Sequence, residues 1–412
     1  MNERKMKMKN LTELNSFIVK RANELEENTI KTRAFLHQHP ELSSQEVETV
    51  KFLKEEVKKM GLEIEDVPNS IGFTALLDTK KAGKTLGIRT DIDALPIQEN
   101  PNNLTEKKKY ISKNSGAMHA CGHDGHMAIV LSTIQILAEL KNNLTGKIYF
   151  IFEEGEEIGS GIDAMIEHLK QKNFDAIYGN HLAAFLNSGK VAVDSGPKMA
   201  GAILVDFTVQ GKSGHGSRPD LATNPVFAAA HILTSLTNAW ANQLDVTKTV
   251  TLGLTQIHGG SANNVIPNEV NIEGSLRFYD MKEGRKALKV FKKVSDLTAQ
   301  AHNCQIKFSE EFKVVADPVI NDNKLANIAE RGIEEILPQA QEKNIQWFAS
   351  ESFNKYQKLC PTLFSFIGIR NESLGSGAEH HNDKFDIDEN ALINGVLATT
   401  KFAVDFLNEE EK

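Results

Sequence analysis

The residues with the clearest chemical potential lie in one short stretch, residues 118–127, which reads Met-His-Ala-Cys-Gly-His-Asp-Gly-His-Met. Between His119 and His126 it offers three histidines, one cysteine and one carboxylate, and these are ligand types that bind transition metals. The alternative interpretation is a polar turn before a helix, in which local hydrogen bonds hold the histidines and Cys121 is a buried small hydrophobe. The stretch alone can supply two or three ligands but cannot complete a metal site.

Further ligand and acid–base groups follow predicted strands elsewhere in the chain. They are Glu156 with Glu157, His181, and His380 with His381. Each has an ordinary explanation when taken singly, as a solvated acidic turn, a core histidine or a surface residue. Together they favour metal binding, because thiolate, imidazole and carboxylate groups recur at what would be one edge of a sheet.

Adjacent glutamates are suited to metal-assisted hydrolysis of an amide bond. Because neighbouring side chains point in different directions, one carboxylate of Glu156 and Glu157 can bind metal while the other serves as general base. A metal ion lowers the pKa of water from about 15.7 toward about 7 and polarises the amide carbonyl. Cys121 needs nearby positive charge to stay a thiolate, so it fits a metal ligand better than a free nucleophile.

Two other functions are compatible with these residues. A cysteine hydrolase would use Cys121 as nucleophile and His123 or His126 as base. It would leave the glutamate pair and three further histidines without a role. A binding protein that keeps a metal ion for structure is the second alternative, and the presence of a candidate base counts against it.

The elements around these groups alternate between strand and helix. Short apolar runs at residues 73–77 and 147–152 predict core strands, and the apolar stretch 127–140 predicts a helix. Ser43 and Glu46 form the pattern of a capping box at the start of an earlier helix. This alternation is typical of an α/β sheet, in which ligands gather beyond the carboxyl ends of the strands.

The pattern changes at about residue 197, where a smaller α+β unit is predicted to begin. We therefore expect an α/β protein with a discontinuous catalytic domain, residues 1–197 and 312–412, and an inserted α+β domain, residues 198–311. The catalytic domain should contain a central mixed sheet flanked by helices. It should also carry the candidate metal site.

The composition limits the classes of partner and the cellular compartments that are compatible with the sequence. The 412 residues carry a net charge of −8, which argues against nucleic acid as the main partner. Three cysteines without a Cys-x-x-Cys pair are typical of a reducing compartment. The N-terminus lacks a secretory signal pattern, and no apolar run has the length of a membrane span. These features predict a cytoplasmic protein without a membrane partner.

Five separated motifs occur in order along the chain. They are Arg-Thr-Asp-Ile-Asp-Ala-Leu-Pro at 89–96, Met-His-Ala-Cys-Gly-His-Asp-Gly-His at 118–126, Glu-Glu at 156–157, Gly-Lys-Ser-Gly-His-Gly-Ser-Arg-Pro at 211–219 and Asn-Val-Ile-Pro at 264–267. The set closely resembles the amidohydrolase branch of the dinuclear aminoacylase/carboxypeptidase metallopeptidase family, which includes hippurate hydrolases and indoleacetyl-amino-acid hydrolases. The resemblance runs from about residue 30 to residue 406.

The resemblance implies two divalent metal ions per subunit, zinc or manganese, with cobalt or nickel as further options. The implied ligands are Cys121, which bridges both ions, Glu157 and His381 on one ion, and His123 and His181 on the other. The C-terminal histidine of the family usually lies four residues before a Phe-Asp pair. Counting back from Phe385 selects His381, with His380 as the alternative.

The resemblance also implies the remaining catalytic and binding roles. Glu156 matches the general base, and His215 matches a residue that stabilises the tetrahedral oxyanion, often in the site of the partner subunit. Asn264 and Arg277 match positions that contact the carboxylate or backbone of the substrate. The inserted domain resembles a lid and dimerisation domain, so a homodimer is expected.

The implied reaction is hydrolysis of the amide bond in N-acyl amino acids or short peptides. Carboxypeptidase or dipeptidase activity on short peptides is the alternative. Two segments depart from the family pattern. Glu153-Glu154-Gly155 replaces the usual Gln-Pro-Ala and would add negative charge beside the site, and residues 100–115, rich in Lys and Asn, match no functional segment.

Overall fold

The computed structural model describes residues 11–409. The chain divides into two compact units. The first comprises the chain up to Gly196, Ile320–Ile345 and the chain from Lys355 onward. The second comprises Pro197–Val319 and Gln346–Asn354.

After the second α-helix, successive α-helices are separated by one to five strands along the described chain. The α-helices are α1 Leu11–Gln38, α2 Val47–Lys59, α3 His123–Glu139, α4 Ile162–Leu169, α5 Pro225–Gln243, α6 Met281–Ala301, α7 Asn323–Ile336 and α8 Leu392–Asn408. The strands are β1 Glu63–Asp66, β2 Phe73–Asp78, β3 Thr85–Asp91, β4 Lys147–Glu153, β5 Ala176–Asn187, β6 Val191–Ala192, β7 Gly196–Met199, β8 Gly201–Gln210, β9 Gly214–His215, β10 Val250–His258, β11 Val265–Ile266, β12 Glu269–Phe278, β13 Gln305–Phe308, β14 Val314–Ala316, β15 Val319–Asn321 and β16 Thr362–Arg370.

The first unit is built on a seven-stranded mixed sheet with the order β1-β2-β4-β3-β5-β16-β6. Its central strands β4, β3, β5 and β16 run parallel to one another, whereas β2 and β6 are antiparallel to their neighbours. Helices α1, α3 and α8 pack against one another, and α7 packs against α8. The predicted α/β fold, with a central mixed sheet flanked by helices, is confirmed.

Helix α3 lies at the centre of this packing. Its residues from His123 to Ile134 are all buried, which is the pattern of a helix covered on every side. Neighbouring α1 and α8, together with strands β3 and β5, provide that cover. None of the helices within residues 11–409 is both long and apolar enough to cross a lipid bilayer.

The start of α2 differs from its prediction. Ser43 donates its hydroxyl to Asp93, and Glu46 accepts a hydrogen bond from the backbone N–H of Gly155, so the predicted capping box is wrong. The carboxylate of Glu41 instead accepts bonds of 2.8 and 3.2 Å from two backbone N–H groups in the first turn. Both predicted capping residues are therefore held by distant parts of the chain.

The second unit contains a five-stranded antiparallel sheet with the path β10-β12-β8-β13, and β14 pairs with β8 as well. Burial alternates along β8, as expected of a sheet with one face covered. Helices α5 and α6 pack together and contact this sheet. Their apolar residues form a separate core that includes Phe207, Leu236 and Phe291.

The boundaries of the second unit differ from the predicted range 198–311 in two places. Pairing of Val314 with Ile203 brings β14 into the second unit, whose main segment runs to Val319. Residues 346–354 also belong to this unit, because Trp347 donates its backbone N–H to Lys198 at 2.8 Å. Neither β14 nor residues 346–354 has an apolar pattern from which its pairing partner could be predicted.

Candidate metal centre

The ligand candidates of the first unit come together where its parallel strands end. Four overlapping groups have ligand atoms within 4.8 Å of one another, namely Cys121/His123/His181, Asp91/His123/His126, Cys121/Glu157/His381 and His123/Glu156/Glu157. Asp91 is the last residue of β3, and the glutamate pair follows β4 in a short 3-10 turn. His181 lies in β5 beyond Gly179, where its pairing with β3 ends.

In two histidines of the cluster, a hydrogen bond to a backbone carbonyl determines which ring nitrogen faces the other ligands. His181 donates Nδ1–H to the carbonyl of the next residue at 2.7 Å, which leaves its Nε2 at 3.5 Å from Cys121 Sγ. His123 donates Nδ1–H to the carbonyl of Asp93 at 2.9 Å, and its Nε2 lies 3.8 Å from Glu157 Oε1. Each imidazole is thus oriented with Nε2 toward the other ligands.

The two adjacent C-terminal histidines occupy different environments. His381 Nε2 lies 3.3 Å from Glu157 Oε2, and its backbone N–H donates to Ala120 at 2.9 Å. His380 donates Nε2–H to the carbonyl of Leu182 at 2.8 Å and is buried. The geometry therefore favours His381 over His380 as the candidate ligand.

Asp93 has a central position that the sequence did not reveal. Its Oδ1 lies 3.1 Å from His123 Nδ1, while its Oδ2 accepts the backbone N–H of Glu157 at 3.1 Å and the hydroxyl of Ser43 at 2.6 Å. One carboxylate thus orients a histidine and the turn that carries both glutamates. The sequence feature that could have indicated this role is the position of Asp93 just beyond the end of β3.

His126 supports the cluster from α3. It donates Nδ1–H to Asp91 at 2.7 Å and accepts the backbone N–H of Leu182 at 2.8 Å through Nε2. Asp91 and Glu153 both accept hydrogen bonds from the buried guanidinium of Arg89. Glu153 thus shares the single positive charge of Arg89 with Asp91, and the expectation that residues 153–155 add negative charge beside the site stays a prediction.

The carboxylates around His123 stabilise positive charge. Burial opposes protonation, but Asp91 and Asp93 outweigh it and raise the pKa of His123 to about 10. By contrast, burial and the neighbouring imidazoles lower the pKa of His181 well below its ordinary value. Burial, followed by the charge of His381, lowers the pKa of His380 to about 3. The field of the site therefore favours a cation beside His123.

The residues present fit the metal ions implied by the resemblance. His123 Nε2 and Glu157 Oε1 are buried and have no hydrogen-bond partner among residues 11–409. Such groups are costly to bury unsatisfied, and divalent cations held by this cluster would coordinate them. The thiolate and imidazole groups suit zinc, and the carboxylate also suits manganese.

The remaining sequence-predicted residues lie in the second unit. Pairing of β9 with β11 brings together His215 and Asn264, because the residue after His215 donates its N–H to the Asn264 carbonyl at 2.8 Å. Arg277 lies in β12 and donates to Ser350 Oγ at 2.7 Å. Burial lowers the pKa of Arg277, which forms no ion pair with a carboxylate among the described residues.

Comparison with known proteins identifies the family of the chain. The family model described as Peptidase family M20/M25/M40 matches residues 87–405. Thermostable carboxypeptidase 2 of Saccharolobus solfataricus is 30% identical over 393 residues, which cover 94% of this chain and 97% of the relative. N-acetylcysteine deacetylase of Bacillus subtilis is 32% identical over 365 residues, which cover 88% and 92% of the two chains.

A solved structure is similar over the same extent. The Bacillus subtilis YXEP protein, described as a dinuclear metal-binding peptidase, has a TM-score of 0.81 and 30% identity, with coverage of 93% of this chain and 99% of that chain. The fold and the site thus define a metal-dependent hydrolase of the amidohydrolase and peptidase type. The chain belongs to the M20/M25/M40 peptidase family.

Proposed function

We propose that the protein hydrolyses the amide bond of N-acyl amino acids or short peptides at a dinuclear metal centre. The observation that carries this proposal is the convergence of five candidate ligands beside Glu156, in overlapping groups of three whose ligand atoms lie within 4.8 Å of one another. The names of the relatives support both substrate classes, since one is a carboxypeptidase and another a deacetylase of N-acetylcysteine.

The proposed ligand assignment is the one that the resemblance implies, and two of the ligand groups support it. Cys121 would bridge the two ions, one of which would also be held by Glu157 and His381, and the other by His123 and His181. Zinc or manganese would suit this set, with cobalt or nickel as alternatives. When bound, the ions supply Lewis acidity that polarises the amide carbonyl and lowers the pKa of water.

Glu156 is the proposed general base. It would take a proton from the attacking water and deliver it to the nitrogen that leaves when the amide bond breaks. Its turn is fixed from both sides, because Glu46 accepts the N–H of Gly155 at 2.8 Å and Asp93 accepts the N–H of Glu157 at 3.1 Å. These bonds hold the base in place while Glu157 remains available as a ligand.

His215, Asn264 and Arg277 are the proposed substrate-contacting residues of the second unit. Ser217 donates its backbone N–H to His215 Nδ1 at 3.1 Å, so the proton of the neutral imidazole lies on Nε2. That N–H can donate to the oxyanion formed when water adds to the carbonyl. Arg277, without a carboxylate partner among the described residues, can bind a substrate carboxylate.

We also propose a homodimer through the inserted domain and a cytoplasmic location. Strand β10 is paired only with β12 among the described strands and leaves its other edge exposed. Phe227 and Ile257 in the same unit are 64% and 52% exposed, which is typical of surfaces covered by a partner. The three cysteines form no disulfide within residues 11–409, as suits a reducing compartment.

A substrate panel tests this function. Purified protein would be stripped with a chelator and assayed with N-acetyl and N-benzoyl amino acids and with dipeptides, before and after addition of Zn²⁺ or Mn²⁺. Metal-dependent release of free amino acid from at least one class is expected. If the protein binds metal and hydrolyses neither class, a binding function replaces this one; activity on dipeptides alone selects the dipeptidase alternative.

A further inference from the structure

The segment rich in Lys and Asn that matched no functional segment contacts the loop that carries His381. We call residues 99–115, in the connection between β3 and α3, the clamp segment. Residues 371–388, which follow β16, are the His381 loop. Both segments belong to the first unit.

Asn103 provides the first link and uses all the hydrogen-bonding capacity of its buried amide. Its Oδ1 accepts the backbone N–H groups of Thr105 at 3.0 Å and Glu106 at 2.9 Å, within the clamp segment. Its Nδ2 donates to the carbonyl of Leu374 and to Asp386 Oδ2, both at 2.9 Å, in the His381 loop. These partners fix the orientation of the amide, because an oxygen in place of Nδ2 would be repelled by the two acceptor oxygens.

Lys108 provides a second link, nearer to His381. Its buried ammonium donates to the carbonyl of Asp383 at 3.0 Å and to Glu99 Oε1 at 2.9 Å. Asn100 donates its backbone N–H to the same carbonyl at 3.0 Å. Because a buried ammonium requires partners, these bonds fix the backbone two residues after His381.

A row of buried charged groups continues from Glu99 to the first turn of α3. His37 donates Nε2–H to Glu99 at 3.0 Å and Nδ1–H to Asp124 at 2.8 Å, which requires a doubly protonated imidazole between two carboxylates. Arg33 also donates to Asp124 at 2.8 Å. Since Asp124 follows His123, the clamp segment connects the His381 loop with the helix that carries another candidate ligand.

His381 has little local support of its own. Its φ of 62° lies in the left-handed region, which is unfavourable for a residue other than glycine. Its side chain is 51% exposed, so packing does little to hold the imidazole in place. The position of the ring therefore depends on how firmly its loop is anchored.

We propose that the clamp segment positions the metal ligand His381, acting through Asn103 and Lys108. The inference rests on the proposed metal centre. Neither residue is a ligand; each fixes the backbone of the His381 loop through the bonds described above. Loosening that loop should weaken the ion held by Glu157 and His381 more than the ion held by His123 and His181.

Metal titration of variants tests the proposal. Metal-free wild type, Asn103→Ala, Asn103→Asp and Lys108→Met would be titrated with Mn²⁺ by calorimetry, with circular dichroism of each metal-free protein. The variants should bind one of two equivalents about 10- to 100-fold more weakly, as is usual when outer partners of a ligand are lost. Asn103→Asp should be weaker than Asn103→Ala, because its carboxylate faces Asp386. Excess Mn²⁺ should restore turnover.

Two controls separate positioning from general stability. Lys109→Met removes the adjacent lysine, whose side chain is 67% exposed and pairs with Glu389 at the surface, and should bind both equivalents as wild type does. Lys108→Arg keeps the charge and should recover part of the affinity lost in Lys108→Met.

Several outcomes would overturn the inference. Folded Asn103 variants with wild-type affinity for both equivalents would do so, and so would variants that stay unfolded even with saturating Mn²⁺, since the role would then be in folding alone. If Lys108→Met does not fold, the Asn103 variants decide. A wild-type protein that binds no metal contradicts the proposed function instead, and this result is seen before any variant is compared.

Discussion

At the scale of single residues, two adjacent glutamates have different proposed tasks. Glu157 has an oxygen 3.8 Å from His123 Nε2 and another 3.3 Å from His381 Nε2. Glu156 shares the same turn and lies within the ligand cluster. Loss of each carboxylate should therefore have a distinct signature.

Glu156→Gln should lower kcat by a factor of about 10² to 10⁴, the usual contribution of a general base, while metal content is unchanged. Steady-state kinetics on the preferred substrate and elemental analysis of the same sample check this. Asp163→Asn is a suitable control, because that carboxylate is exposed. Retained turnover in Glu156→Gln contradicts its assignment as base.

Cys121→Ser should lower the bound metal below the wild-type equivalents, because the hydroxyl is a much poorer ligand than a thiolate. Elemental analysis after dialysis measures this, with Cys304→Ser as the control in the second unit. Loss of activity with both ions still bound would instead revive the cysteine-nucleophile alternative.

At the scale of elements, the loop after β4 is anchored by a buried carboxyl group. Glu46 immediately precedes α2 and accepts the N–H of Gly155 at 2.8 Å. Burial raises the pKa of Glu46 from 4.5 to about 7; the hydrogen bond from Gly155 opposes this, and Asp93 and Glu154 add to it. The folded chain therefore holds a proton here that the unfolded chain releases at lower pH.

The raised pKa of Glu46 makes the folded chain less stable as pH rises. Between pH 4.5 and about 7 the folded chain binds more protons at Glu46 than the unfolded chain, so this group lowers the free energy of unfolding as pH rises. The full difference corresponds to roughly 3 kcal/mol. Below pH 4.5 Glu46 does not lower the free energy of unfolding in this way.

Glu46→Gln, which keeps an oxygen for the Gly155 N–H, should remove that loss. Urea unfolding at pH 5 and pH 8 should show a smaller decrease in stability for the variant than for the wild type. The exposed Glu48→Gln is the matched control on the same helix. If the stability of Glu46→Gln depends on pH as that of the wild type does, the Glu46 carboxyl of the wild type is ionised throughout this range.

The elements also show what sequence patterns can and cannot reveal. The apolar run after His126 predicted the buried helix α3, because burial on all sides requires an apolar sequence. Ser43 and Glu46 matched a capping box, yet Asp93 and Gly155 bind them across the fold. Local spacing cannot reveal a partner that only tertiary structure brings near.

The same limit applies to the site. Cys121, His123 and the glutamate pair were visible because their chemistry is unusual and concentrated in sequence. The choice of His381 required a resemblance, and the structure adds a reason in its 3.3 Å approach to Glu157. The roles of Asp93 and of the clamp segment were not predicted, because they consist of hydrogen bonds to groups that only tertiary structure brings near.

At the scale of the whole molecule, the exposed apolar residues of the second unit predict that the protein forms a homodimer. Wild type should have twice the mass of one chain in solution, and the double substitution Phe227→Glu with Ile257→Lys should give monomers, because charges would be buried at the interface. Multi-angle light scattering measures this. Leu297→Lys, at a residue 55% exposed on α6, is the control.

A wild-type protein that is monomeric at micromolar concentration would contradict the proposed dimer. Dimers that persist in the double variant would place the interface elsewhere on the chain. In either case, the assignment of metal ligands in the first unit would stand unchanged, because all of them lie within that unit.

Metal content is the most direct test of the central claim that five side chains of the first unit form a dinuclear centre. Protein stripped of metal, reconstituted with Zn²⁺ or Mn²⁺ and dialysed should hold two equivalents per chain, and both His381→Ala and His181→Ala should hold fewer. Amide hydrolysis should disappear with the metal and return with it. Stripped protein that hydrolyses its substrate at the wild-type rate, or ligand variants that keep two equivalents, would contradict the account.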